Sequence, residues 1–320
     1  MKQIASILFL VFVINACDDG NLTVDAIDFT EVAALKCSEK DVIYKVKDNE
    51  MLFIEIPAET FTNEETLEGA PIAVDLSSTV KVTYRKFNGT VSASNICPIV
   101  PDAIPSLTEE WKATSGTILI TSSAIKSVNS STGITQITGY KYYIVFEDIV
   151  FLKSDGSSQT YGGTTFVFGN YMKNVSPLAF GFDEEVNKST CDNRIFNFNG
   201  SESLILDVDN FTTLFENATT TTPRIALLSA TNKLTYKLFS STINNAYFCA
   251  STLPATPTLT QEWNAINGIA DVSGIIEVTT TFIVGSGYQH TIHLKKVTMK
   301  RGNSDFYLGD DYLYGSFVTN

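Results

Sequence analysis

His290 and His293 are the only imidazoles in this 320-residue chain. A histidine pair can hold zinc or move a proton, but only where the rings converge on one point. Three residues apart on an extended strand, these two face opposite sides, so both are read as structural. Without another histidine, a Ser-His-Asp or Cys-His arrangement lacks its base. Paired carboxylates are the other route, as in glycoside hydrolysis. Glu110, Glu262, Glu55 and Asp207 are the acids best placed for it by sequence. Each also has a plain structural role, at the start of a short helical turn or as the outward residue of a strand. Asp207, Asp209 and Asn210, with Asp310 and Asp311, offer oxygens to calcium, but the glycine and glutamate that frame an EF-hand loop are missing. No phosphate-binding or dinucleotide glycine pattern occurs. No catalytic residue, cofactor or metal ligand is assigned.

Aromatic residues carry more weight. In a strand through Tyr140, Tyr142 and Tyr143, the first two share a face with Phe146 and the third lies opposite. An exposed row of this kind stacks on sugar rings or anchors a protein partner, and a buried one is core. Tyr140, Tyr142 and Tyr143 are therefore the candidate ligand face.

What positions these residues is a duplication. Residues 71–120 align without a gap on 223–272, and the identities include Tyr84/Tyr236, Phe87/Phe239, Cys97/Cys249, Glu110/Glu262 and Gly116/Gly268. The two tryptophans, Trp111 and Trp263, are a matched pair. Cys37 and Cys191 lie at similar distances before Cys97 and Cys249. Setting Cys17 aside leaves four cysteines, and only Cys37–Cys97 with Cys191–Cys249 treats both copies alike. Beyond the block, Tyr140 matches Tyr288, Ile149 matches Val297 and Phe168 matches Tyr314, with length changes expected in hairpin loops.

The N-terminus explains the fifth cysteine. Lys2 precedes an apolar run, residues 4–14, too short to cross a bilayer about 30 Å thick as a helix. The run ends in Val13-Ile14-Asn15-Ala16-Cys17, which resembles the lipobox of bacterial lipoproteins, with Asn15 departing from the usual small residue. The resemblance implies cleavage before Cys17 and lipidation of its thiol. Asp18-Asp19 resemble the surface-export signal of Bacteroidota lipoproteins, implying an outer-membrane, surface-exposed location. Export also makes the two disulfides plausible.

The rest of the chain reads as β structure. Short runs rich in β-branched and aromatic residues, such as 43–47, 51–56, 80–87, 140–152 and 288–300, alternate with Ser, Thr, Asn and Gly. The expected fold is all-β: two tandem antiparallel sandwich or open-barrel domains, each with one disulfide. One helical turn per copy is expected at residues 105–111 and 257–263, capped by Thr108 and Thr260 and carrying the tryptophan. The expected layout is a signal peptide over 1–16, a tether over 17–34, domains over 35–171 and 191–320, and a linker over 172–190.

A net charge of −13 argues against nucleic acid and against docking on anionic lipid, so the membrane is reached through the acyl anchor. Together these features predict a non-catalytic surface module binding a glycan or another protein. The alternatives are a carboxylate-dependent hydrolase acting on polysaccharide and a structural envelope component.

Overall fold

A computed structural model describes residues 27–250 and 255–320, so Cys17 and most of the expected tether lie outside the described residues. The first copy comprises β1 (Leu35–Lys36), β2 (Val42–Lys47), β3 (Glu50–Glu55), β4 (Ile72–Asp75), β5 (Lys81–Phe87), β6 (Leu107–Val128), β7 (Thr135–Leu152), β8 (Ser158–Tyr161) and β9 (Phe166–Asn174). The second comprises β10 (Asn187–Lys188), β11 (Arg194–Asn199), β12 (Glu202–Asp207), β13 (Arg224–Leu227), β14 (Lys233–Phe239), β15 (Leu259–Ala265), β16 (Ile275–Ile283), β17 (Gly287–Lys295), β18 (Thr298–Arg301), β19 (Ser304–Tyr307) and β20 (Tyr312–Thr319). A one-turn helix, α1 (Phe211–Leu214), precedes β13.

The fold is all-β, and the two copies share one topology. In the second, the order β10-β11-β12-β14-β15-β18-β19 forms one sheet and β13-β16-β17-β20 the other. In the first, β1-β2-β3-β5-β6-β7-β8 runs in the same order, with β4 on β6 and β9 on β7. There β6 and β7 are long enough to serve both layers, so the layers join into one bent sheet. The bend in β6 falls at Gly116, whose φ is 130°, and a Cβ there would lie 2.8 Å from the Ile149 Cα. The steric fit explains the glycine. In the second copy the chain leaves the sheet instead: residues 266–274 form a loop closed by an Ile269–Ser273 bridge.

That loop corrects the gapless alignment. Asp75 pairs with Thr117, and its counterpart Leu227 pairs with Ile275. The last positions of the aligned block are therefore not equivalent in space. The next hairpin differs in the opposite sense. Sixteen residues separate the paired Ala124 and Tyr140 in the first copy, and six separate Phe282 and Tyr288 in the second.

Each copy has a large core between its layers, centred on Trp111 in one and Trp263 in the other. A smaller core lies on the outer face of the first layer, holding Phe53, Phe87 and Ile96 in one copy and Phe196, Phe239 and Phe248 in the other. Disulfides Cys37–Cys97 and Cys191–Cys249 tie the covering loops over these outer faces. Both faces of β3 and β12 are thus buried, which explains their unbroken apolar runs at Met51–Ile54 and Leu204–Leu206.

Three expectations need correction. The helical turns are absent: residues 107–111 and 259–263 are strand, where Tyr84 pairs with Trp111 and Tyr236 with Trp263. The hydroxyls of Thr108 and Thr260 donate across the ladder, to the Lys86 and Leu238 carbonyls, instead of capping a helix. Pairing with a buried neighbour strand outweighs a weak local pattern. The described end of the tether belongs to the fold, since Ile27 and Phe29 are buried in the first core. The linker is likewise structural: β9 extends to Asn174, Phe180 stacks on Tyr236 with ring centroids 4.7 Å apart, and Val186 is buried. Each copy is therefore entered by an apolar segment laid against its own tyrosine, Phe29 on Tyr84 and Phe180 on Tyr236.

Candidate functional site

A repeated aromatic unit lies beneath each entering segment. Trp263 alternates inward on β15, and its indole N–H donates to Gln261 Oε1 at 3.0 Å. Trp111 does the same with Glu109. Beside each indole, Tyr236 donates to Glu202 at 2.6 Å and Tyr84 to Glu50 at 2.9 Å. A cation covers each tryptophan: Arg301, ending β18, lies 4.9 Å from the Trp263 ring, and Lys153, just after β7, lies 4.0 Å from Trp111.

The second unit opens onto a cavity of about 260 Å³ between the copies. Its walls come from three places. The first copy supplies Asn63, Ile137 and Tyr140 among others, the entering segment supplies Val175 to Phe180, and the second copy supplies Gln261, Trp263, Arg301, Phe306 and Tyr312. The volume is just below the roughly 300–1,000 Å³ of drug-sized sites and suits a ligand near the size of one sugar ring.

The cavity is framed by polar contacts between the copies. The β18–β19 hairpin reaches across, where Arg301 Nη2 donates to the Asn63 carbonyl at 2.6 Å and Asn303 donates to the Glu65 carbonyl at 3.0 Å. Ser304 Oγ accepts from the Glu65 amide at 3.0 Å and from the Tyr140 hydroxyl at 3.3 Å. Lys126 pairs with Asp305 at 2.7 Å, and the Tyr307 amide donates to Thr135 at 2.7 Å. Within two of the lining residues, Asn63 Oδ1 and Arg301 Nε are shut off from solvent and make no hydrogen bond among the described residues. Burial raises the pKa of the Tyr140 phenol, and burial with the nearby Glu202 carboxylate pushes Tyr312 up to about 12. Both stay neutral donors at physiological pH.

The expected tyrosine face is not an open platform. Tyr140 and Tyr142 are buried, 2% and 0% exposed, and only Tyr143 reaches solvent, on the opposite side at 41%. Tyr142 donates to the Thr62 carbonyl and stacks on Tyr171. The alternation was correct, but the inward face is filled by Phe61 and Tyr171. Tyr140 alone of the three lines the cavity.

The other chemical candidates are dispersed. Glu110 is held by Arg85 at 2.7 Å and Lys112 at 2.7 Å, and Glu262 by Lys237 at 3.4 Å. Burial raises the Glu110 pKa, but hydrogen bonds from Lys112 and Arg85 outweigh it and the net shift is downward. Glu55 pairs with Lys81. His290 faces inward between Thr280 and Thr319, at 2.8 and 2.9 Å, whereas His293 faces outward onto Asp311 at 2.7 Å. Burial raises Asp311, but Lys295 and His293 hold it below the usual range. Among the described residues, no group of three or more histidine, cysteine or acidic side chains gathers to hold a metal.

Arg301 and Asn63 were not found from sequence. One signal did exist: Arg301 aligns with Lys153 at the same offset as Tyr288 with Tyr140, so a cation recurs after each matched strand. No family model, curated protein or solved structure matches the chain.

Proposed function

We propose that this chain is a lipid-anchored cell-surface protein that binds a small ligand, such as the end of a glycan, in the cleft between its two copies. The observation that carries this reading is the cavity beside Trp263, whose wall combines five aromatic rings with Arg301 and the side-chain amides of Gln136 and Gln261. Small-molecule sites favour such junctions, where apolar walls give area and a few polar groups give orientation. The anchor is supported by the lipobox-like residues before Cys17 and by the acidic pair after it.

Two experiments test this. Glycan arrays and thermal-shift screens on the purified protein are expected to find a ligand whose binding is lost on Ala179→Trp, which fills the cleft from an exposed position. Binding that survives Ala179→Trp would place the site elsewhere. Palmitate labelling of producing cells is expected to mark the wild type and not Cys17→Ser. Equal labelling of both would refute the anchor.

A further inference from the structure

We propose that the cleft recognises an acidic sugar unit, with its carboxylate on Arg301 and its hydroxyls on the amides around it. This rests on the cleft being the binding site and adds the ligand's chemical class. Among the described residues that line the cavity, Arg301 is the only charged one, in a chain with 35 acidic and 22 basic residues. In so acidic a protein, a pocket with one cation and no carboxylate in its wall selects for negative charge.

The arginine is set in place before any ligand arrives. Its guanidinium carbon lies 4.9 Å from the centre of the Trp263 ring, and Nη2 is bonded to the Asn63 carbonyl. The nearest acid, Glu64, lies 3.7 Å from Nε with its side chain half-exposed, where water weakens its hold. A guanidinium so fixed suits the two oxygens of a carboxylate, a geometry an ammonium does not reproduce. The first copy has lysine, Lys153, at the matching place over Trp111, and the arginine stands in the copy that opens on the cleft. Gln136 and Gln261 add amides, while Phe180 and Tyr312 offer apolar surface to a sugar ring.

The acidic unit could be a free uronate or the terminus of a polysaccharide, and titration calorimetry separates them. D-glucuronate, D-glucose and a glucuronate-terminated disaccharide are each titrated into wild type, Arg301→Lys and Asn63→Asp, with near-ultraviolet circular dichroism to verify folding. Glucuronate is expected to bind at least about tenfold tighter than glucose, and Arg301→Lys to lose about tenfold for the acid only. Asn63→Asp, which puts a carboxylate beside Arg301, is expected to abolish that preference and provides the test should Arg301→Lys not fold. Tighter binding of the disaccharide than of free glucuronate would indicate a glycan end, and the reverse a free acid. Equal affinity for glucose and glucuronate would overturn the acidic class while leaving the cleft a sugar site. No binding of any of the three, with a ligand found by wider screening, would overturn the class alone, and no ligand at all would overturn both readings.

Discussion

His290 should make the second copy acid-labile over a defined range of pH. Its ring is fully buried against Phe215 and Phe317, and burial, aided by the positive charges of Arg224 and Lys188, depresses its pKa from 6.5 to about 4. Its bonds account for the neutral form. Thr319 spends its hydroxyl proton on Asn217, so it accepts from Nε2–H, which leaves Nδ1 to accept from Thr280. The unfolded chain takes up a proton below pH 6.5 and the folded chain does not, so stability is full above 6.5 and falls as the pH drops towards 4. A shift of 2.5 units corresponds to about 3.4 kcal/mol once the pH is below 4, and to about 2 kcal/mol between pH 7.5 and 5. That is a large part of the roughly 5–15 kcal/mol available to a domain. Urea unfolding at both pH values, for wild type and His290→Gln, isolates the effect, because the carboxylates are common to both proteins. The variant is expected to lose about 1 kcal/mol at pH 7.5 and to retain nearly all of the rest at pH 5. Equal losses on acidification in the two proteins would show that His290 is not the group responsible.

Other expectations follow from the same contacts. Replacing Cys191 and Cys249 by alanine opens a loop with a sequence separation of 58 and should cost about 4 kcal/mol by the chain-entropy model, read from denaturant midpoints. Glu110→Gln should cost about 1 kcal/mol near neutral pH, with the difference vanishing as the pH falls through the depressed carboxyl pKa, and it should leave ligand binding in the cleft unchanged by calorimetry. Trp263→Phe should weaken ligand binding in the cleft more than Trp111→Phe does, since only Trp263 lines it.

Much of the fold was legible because its determinants are local or repeated. Alternation over Thr135–Leu152 marks the inward side of β7, and symmetry between the copies gave both disulfides. Residues 105–111 were misread because a threonine followed by acids resembles a helix start, and nothing nearby in sequence reveals that Tyr84 will lie opposite Trp111. The tyrosines failed as a platform for a related reason. Periodicity assigns Tyr140 and Tyr142 to one face but cannot tell whether that face meets solvent or Phe61, which lies some eighty residues earlier. The cleft was the least visible feature, because Asn63, Tyr140, Phe180 and Arg301 come together only when one copy docks on the other.

The unequal hairpins bear on how the two copies are held together. The long first-copy hairpin carries Lys126, Thr132 and Thr135, which grip the second copy through Asp305, Asp310 and Tyr307. The second copy's hairpin is ten residues shorter in all, with Ile283 already paired to Gly287, and among the described residues it offers no such socket. The hold between the copies is therefore one-sided: it is set by the length of one turn in the first copy, and not by the sheets that the two copies share.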